Sequence, residues 1–207
     1  MRGPHWWRAH RGTRGPGRDD ASDGPGVGFI RYIGTIVGII AVVQAVALSG
    51  RAGSAEAGGL LETLRGTGMS SARVLATWWA TASAGALASL GTAAALMAVV
   101  GDRVLDVSPA DTVRLVLGQW PAAAAAAGLC VLCAGLAPAA RHLAWAPVLA
   151  SALIAELGGV LDLPQAVRDE APFAQAGRWT SLWLLVVALA GLAGGALLIR
   201  SRDLRPR

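Results

Sequence analysis

Few residues in this chain are of a type and spacing that could do chemistry. Cys130 and Cys133 form a C-x-x-C pair, which in a soluble domain serves thiol exchange or supplies half of a zinc site. Here both fall inside an apolar run with no polar neighbour, and no second pair exists. We read them as small apolar filler. His5, His10 and His142 are isolated from one another and suggest no metal cluster. No Ser/His/Asp arrangement or pair of acids occurs in a plausible pocket. The missing residue types exclude more. All 18 basic residues are arginine, and the chain has neither lysine nor asparagine. A P-loop needs a lysine to reach the β- and γ-phosphates, and a Schiff base needs a lysine amine. The chain is therefore expected to be no enzyme, to need no cofactor, and to carry no N-linked glycan.

The elements around these residues are apolar on every side. Of 207 residues, 54% are hydrophobic and 15% charged, against roughly a quarter charged in an average soluble domain. Alanine and glycine abound, which reads as codon bias rather than chemistry. Five runs approach or exceed the ~20 residues that a helix needs to cross a bilayer: Tyr32–Ser49, Val74–Val100, Leu115–Ala137, Leu143–Leu161 and Leu182–Ile199. They make up half the chain, and Glu156 is the one charged residue within them. Buried helices of a soluble bundle would each show one apolar stripe; these are apolar all round. The expected fold is all-α: a polytopic membrane protein of about five transmembrane helices over residues 27–207, after a disordered basic tail over residues 1–26. Trp78, Trp79, Trp120, Trp145, Trp179 and Trp183 lie in or beside the first turns of these runs, where indole rings favour the headgroup zone.

Arginine counts in the loops set the expected orientation. With the C-terminus cytoplasmic, Arg51, Arg65, Arg73, Arg141, Arg200, Arg202, Arg205 and Arg207 face inward. Arg103, Arg114, Arg168 and Arg178 face outward, along with most of the acids. The expected location is the plasma membrane. The basic tail would then sit outside, against the same rule. A signal peptide cleaved near Ala45–Ala47 would explain that; a misplaced start or a lost upstream helix explains it more simply.

The loop over residues 50–73 is the most informative segment between spans. In it Leu60, Leu61 and Leu64 share one helical face, and Glu62 can pair with Arg65 at i, i+3. Gly66 and Gly68 end the segment, and Ser70 or Ser71 can cap the next helix. This is a short amphipathic helix, serving either as a surface linker or as a docking element for a cytosolic partner.

At this point the sequence resembles the membrane subunits of type-2 ABC exporters. Their acidic Gly-Thr-Leu-Glu-Leu-Leu-like stretch and the turn after it are matched at Glu56, Gly59, Leu60, Glu62, Leu64, Thr67 and Ser70. Gly68 replaces the usual proline, and Ser71 stands where arginine is common. Three further stretches and the tail resemble the tetronasin/polyketide-antibiotic exporter permeases. These are Gly118-Gln119-Trp120-Pro121, Gly135–Pro138 with Arg141 and Trp145, the loop Leu161–Phe173, and Arg200–Leu204. Ala166 lacks that branch's aromatic residue. The resemblance covers about Gly50 to Leu204, like a second permease half without its first helix. It implies an ATPase on another chain docking on Glu56, Gly59, Leu60, Leu61, Glu62, Leu64 and Arg65. It also implies a second permease half or a homodimer as partner, and export of a hydrophobic antibiotic- or drug-like compound. Lipid is the surrounding partner, and no nucleic acid is expected.

Glu156 lies toward the outer end of the fourth span. A carboxylate in hydrocarbon is costly, so it is either a polar point on a substrate path or close enough to the interface to reach water. Gly158 and Gly159 suggest a helix end beside it, leading into an outer loop over residues 162–181. Gly34-x3-Gly38, Gly85-x3-Ser89 and Gly191-x3-Gly195 would let helices approach closely. The alternatives to an exporter are a non-transporting membrane protein, such as an assembly factor or degenerate permease fragment, and an intramembrane enzyme. The last lacks the clustered acids or nucleophiles it would need.

Overall fold

The computed structural model describes residues 24–57, 70–175 and 181–203. Among these, helix and turn account for nearly everything and no strand occurs. The elements are α1 (Pro25–Ala57), α2 (Ser71–Val104), α3 (Pro109–Leu117), α4 (Trp120–Leu136), α5 (Trp145–Leu157), α6 (Gln165–Asp169) and α7 (Leu182–Asp203). Short 3-10 segments occupy Pro138–Ala144 and Pro172–Gln175. Four helical stretches are long and apolar enough to cross a membrane: Pro25–Arg51, Ser71–Val104, Pro109–Leu136 and Leu182–Ser201. A fifth apolar helix, His142–Leu157, is shorter.

Local chemistry explains the boundaries. Ser70 caps α2, its Oγ accepting the Arg73 backbone N–H at 3.3 Å, in keeping with one of the two expected caps. The third span begins at Pro109, earlier than the apolar run indicated, and breaks at Gly118–Gln119. Pro121 has no N–H to give to the carbonyl four residues back. The Gln119 N–H instead closes a tighter turn onto the Val116 carbonyl at 3.2 Å. The fourth apolar run winds as a 3-10 segment, then α5, then one more turn, with Leu161 N–H on the Leu157 carbonyl at 2.9 Å. Asp162 ends it at φ 48°, and the Leu163 N–H returns to the Gly158 carbonyl at 3.0 Å. This is a Schellman ending with aspartate in the left-handed position, which short polar side chains tolerate.

Packing fixes the direction of each crossing. Gly101 of α2 faces Ile30 of α1, and Gly85 faces Gln44 and Leu48, so α1 and α2 run antiparallel. Gly34 faces Val116, Gly38 faces Gln119, and Cys130 Sγ lies 3.9 Å from the Val46 carbonyl; α1 and α4 run parallel. Gly128 lies against Ala188 and Gly135 against Gly195, so α4 and α7 also run parallel and in direct contact. Two neighbouring parallel helices oblige the chain between them to return across the bundle once. The stretch 138–161 is that return, so five crossings stand although α5 alone is short.

The centre of the bundle is α4, where every residue from Pro121 to Gly128 is buried. It packs on Ala41, Val42, Ala45 and Val46 of α1, on Ala82, Ala86 and Leu90 of α2, and on Leu184 and Ala188 of α7. Small side chains bring backbones together, which is how helices associate where lipid removes the hydrophobic drive. Leu96, Val99, Val186, Leu189 and Leu197 stay exposed on the perimeter, as lipid-facing side chains must.

The two ends differ in charge. One end holds the α2–α3 turn, the end of α5 and residues 162–175. Its described side chains include Asp102, Asp106, Asp111, Glu156, Asp162 and Glu170 beside Arg31, Arg103, Arg114 and Arg168. The other end holds Arg51, Arg73, His142 and Arg200, and no described carboxylate side chain. We call them the acidic and basic ends.

Candidate functional site

Toward the acidic end the helices line a partly open cavity of about 150 Å³. Its walls come from five elements. Val42 contributes from α1; Ala122, Ala125, Ala126 and Leu129 from α4; Pro147, Val148 and Ser151 from α5. Pro172 and Phe173 close one side from the 3-10 turn, and Trp183, Leu184 and Val187 close another from α7. Among the described residues no charged one lines it. The Ala122–Ala127 run, uninformative in sequence, creates this space: Ala122, Ala125 and Ala126 line the cavity while Ala123, Ala124 and Ala127 pack inward with no exposure. An apolar chamber with a hydroxyl and an indole on its wall suits a hydrophobic ligand held by shape.

The helix break positions a buried amide beside this chamber. Gln119 is 2% exposed, and its Nε2 donates to the Phe173 carbonyl at 3.2 Å. Its Oε1 is buried with no hydrogen-bond partner. Gly38 of α1 makes room for it: a Cβ there would stand 2.8 Å from Gln119 Cγ and Cδ. The glutamine therefore ties the outer turn carrying Phe173 to the broken helix, across the end of the cavity.

Two tryptophans fasten the walls. Trp79 Nε1–H donates to the Ala124 carbonyl at 3.2 Å, and Trp120 Nε1–H donates to the Ser83 carbonyl at 3.2 Å. Both were expected at the headgroup zone. Each instead satisfies its N–H inside the bundle, the usual fate of a buried indole donor, and together they fix α2 antiparallel to α4.

The residues singled out in the sequence are placed unevenly. Glu56 falls in the last turn of α1, but its side chain lies outside the described set. Gly59, Leu60, Leu61, Glu62, Leu64 and Arg65 lie outside the described residues altogether. Glu156 is exposed near the end of α5 and does not line the cavity. Cys130 and Cys133 are buried free thiols. Among the described residues no group of three or more His, Cys, Asp or Glu could hold a metal ion. Sequence reasoning missed Gln119 as a site residue, although it lay in a quoted motif; a glutamine just before a proline inside an apolar run was the available signal.

A bundle of long apolar helices around a mostly apolar cavity, with a polar tie near one end, has the build of a multi-pass membrane permease. Residues 17–200 match the family model described as the C-terminal domain of the multidrug efflux system permease Rv1217c. The chain belongs to that family. It is also 32% identical over 190 residues to the multidrug efflux system permease protein Rv1217c of Mycobacterium tuberculosis, a match covering 86% of this chain. The chain spans about a third of that relative, whose matched share is 34%.

Proposed function

We propose that this chain forms membrane-spanning helices of an ABC-type exporter that moves hydrophobic antibiotic- or drug-like compounds out of the cell. The observation that carries this reading is the cavity at the meeting of α1, α4, α5 and α7, whose described lining carries no charge, in a chain of an efflux-permease family. A lysine-free chain has no P-loop, so ATP is hydrolysed on a separate subunit. The resemblance to type-2 exporters, and to the tetronasin branch among them, puts that subunit against residues 55–65. A second permease half or a second copy completes the pathway. The basic end faces the cytoplasm of a cell in whose plasma membrane the protein sits, in line with the positive-inside rule. In this reading α4 and α7 move as one unit because their backbones touch, and the Gln119–Phe173 tie opens when the cavity faces outward.

The docking proposal is tested by co-purification. The wild-type chain should bring down an ABC ATPase, and Leu60→Asp combined with Leu64→Asp should abolish the association. Unchanged association of the double variant would sink it.

A further inference from the structure

A second cavity, of about 250 Å³, opens at the basic end. It is separate from the chamber beside Phe173 and differs from it in chemistry. Val46, Ala47 and Cys130 form an apolar floor, while Arg51, His142 and Trp145 stand around it. Arg51 and His142 are exposed, and Trp145 is half-buried. They come from three different stretches: α1, the 3-10 segment and the start of α5. The topology brings them together because α1 and α4 run parallel and the chain turns back just after α4.

Three observations bear on what fits there. The floor is apolar, so it takes hydrocarbon. The rim offers a guanidinium and an imidazole, both donors, with an indole beside them where an interfacial ring is favoured. The charged side chains described at this end, Arg51, Arg73 and Arg200, are all cationic, while those of Glu56 and Asp203 lie outside the described set. An acid head group would accept charge-assisted hydrogen bonds from Arg51.

We propose that this cavity binds amphipathic anions: one apolar chain against Val46 and Ala47, and a carboxylate or phosphate against Arg51 and His142. The source is either a free amphiphilic acid or the head group of an anionic lipid in the adjoining leaflet. This proposal needs the membrane placement of the bundle but no ATPase, so its failure and that of the efflux reading are distinguishable.

The test uses the full chain in nanodiscs of zwitterionic phosphatidylcholine. Tryptophan quenching by bromoundecanoate is compared with quenching by bromoundecanol, which has the same chain and no charge. Partition into lipid alone favours the alcohol; the site favours the acid. The expected result is saturable quenching by the acid at about tenfold lower concentration than by the alcohol, absent in Trp145→Phe. Arg51→Gln should remove the preference, Arg51→Lys should keep part of it, and Arg200→Gln should leave it intact. The lysine variant guards against a glutamine variant that fails to fold. Adding phosphatidylglycerol to the discs separates the sources: loss of acid binding identifies a lipid head-group site, and its persistence identifies a site for free amphiphiles. Equal quenching by acid and alcohol in the wild type, or equal damage from Arg200→Gln and Arg51→Gln, would overturn the proposal.

Discussion

Gln119 carries the clearest energetic conflict at the residue scale. It makes one hydrogen bond, to the Phe173 carbonyl, and leaves Oε1 buried without a partner. A single net bond is worth about 1 kcal/mol, while a buried orphan acceptor costs about 1–3 kcal/mol. Replacing it with a residue of similar shape removes both terms; replacing it with a small one removes the bond and opens a hole against Gly38. Gln119→Leu should therefore change thermal stability in detergent little, and Gln119→Ala should lower it clearly, by about 2 kcal/mol or more. Equal losses in the two variants would show that the hydrogen bond, not the packing, holds the turn. The glutamine joins the turn carrying Phe173 to the broken helix beside the cavity. None of this was legible in sequence, because residue 173 meets residue 119 only through the return of the chain over residues 138–161. The partners of two tryptophans were illegible for a related reason. Their distance along each run fits an interface anchor, but Trp79 and Trp120 point at carbonyls of a neighbouring helix, and that neighbour is set by tertiary packing.

At the scale of the element, the contact between α4 and α7 is closer than any side chain allows. A Cβ on Gly128 would stand 2.5 Å from the Ala188 carbonyl oxygen, and one on Gly195 would stand 2.6 Å from that of Val131. Both obstacles are backbone, which cannot swing aside. Gly91 in α2 has open space within 4 Å. The same substitution should then have opposite signs at the two places. Gly91→Ala should stabilise the helix by up to about 1 kcal/mol through propensity. Gly128→Ala should destabilise the bundle by about 1–3 kcal/mol through overpacking, read as lowered thermal stability of the purified chain. A Gly128→Ala variant as stable as Gly91→Ala would mean the two helices do not touch as described. The Gly191-x3-Gly195 spacing pointed toward this seam. With 27 glycines in the chain such spacings arise by chance, so sequence could not say which ones meet a partner. The long apolar runs were legible because crossing a bilayer demands length and composition, both linear properties. The break at Gly118–Gln119 and the 3-10 start of the fourth crossing were not, because each depends on where a backbone donor finds its acceptor.

On the scale of the whole molecule, α1 and α7 run parallel to the central α4 and, with α5, leave room for a chamber of about 150 Å³ near one end. Among the described arginines, Arg51, Arg73 and Arg200 gather at one end and Arg103, Arg114 and Arg168 at the other, as the loop sorting grouped them. Placing the basic end in the cytoplasm and docking an ATPase on residues 55–65 belong to the proposed function, and of that segment only residues 55–57 are described. The central claim is that hydrophobic compounds leave the cell through the chamber. The most direct measurement is ATP-dependent uptake of a hydrophobic fluorescent dye into inside-out vesicles from cells making the complete transport system. Ala126 lines the chamber at 9% exposure, whereas Leu189 is 58% exposed on the perimeter. The account predicts ATP-dependent uptake that Ala126→Phe reduces at least tenfold and Leu189→Phe leaves unchanged; uptake without ATP, or uptake undiminished when the chamber is filled, would contradict it.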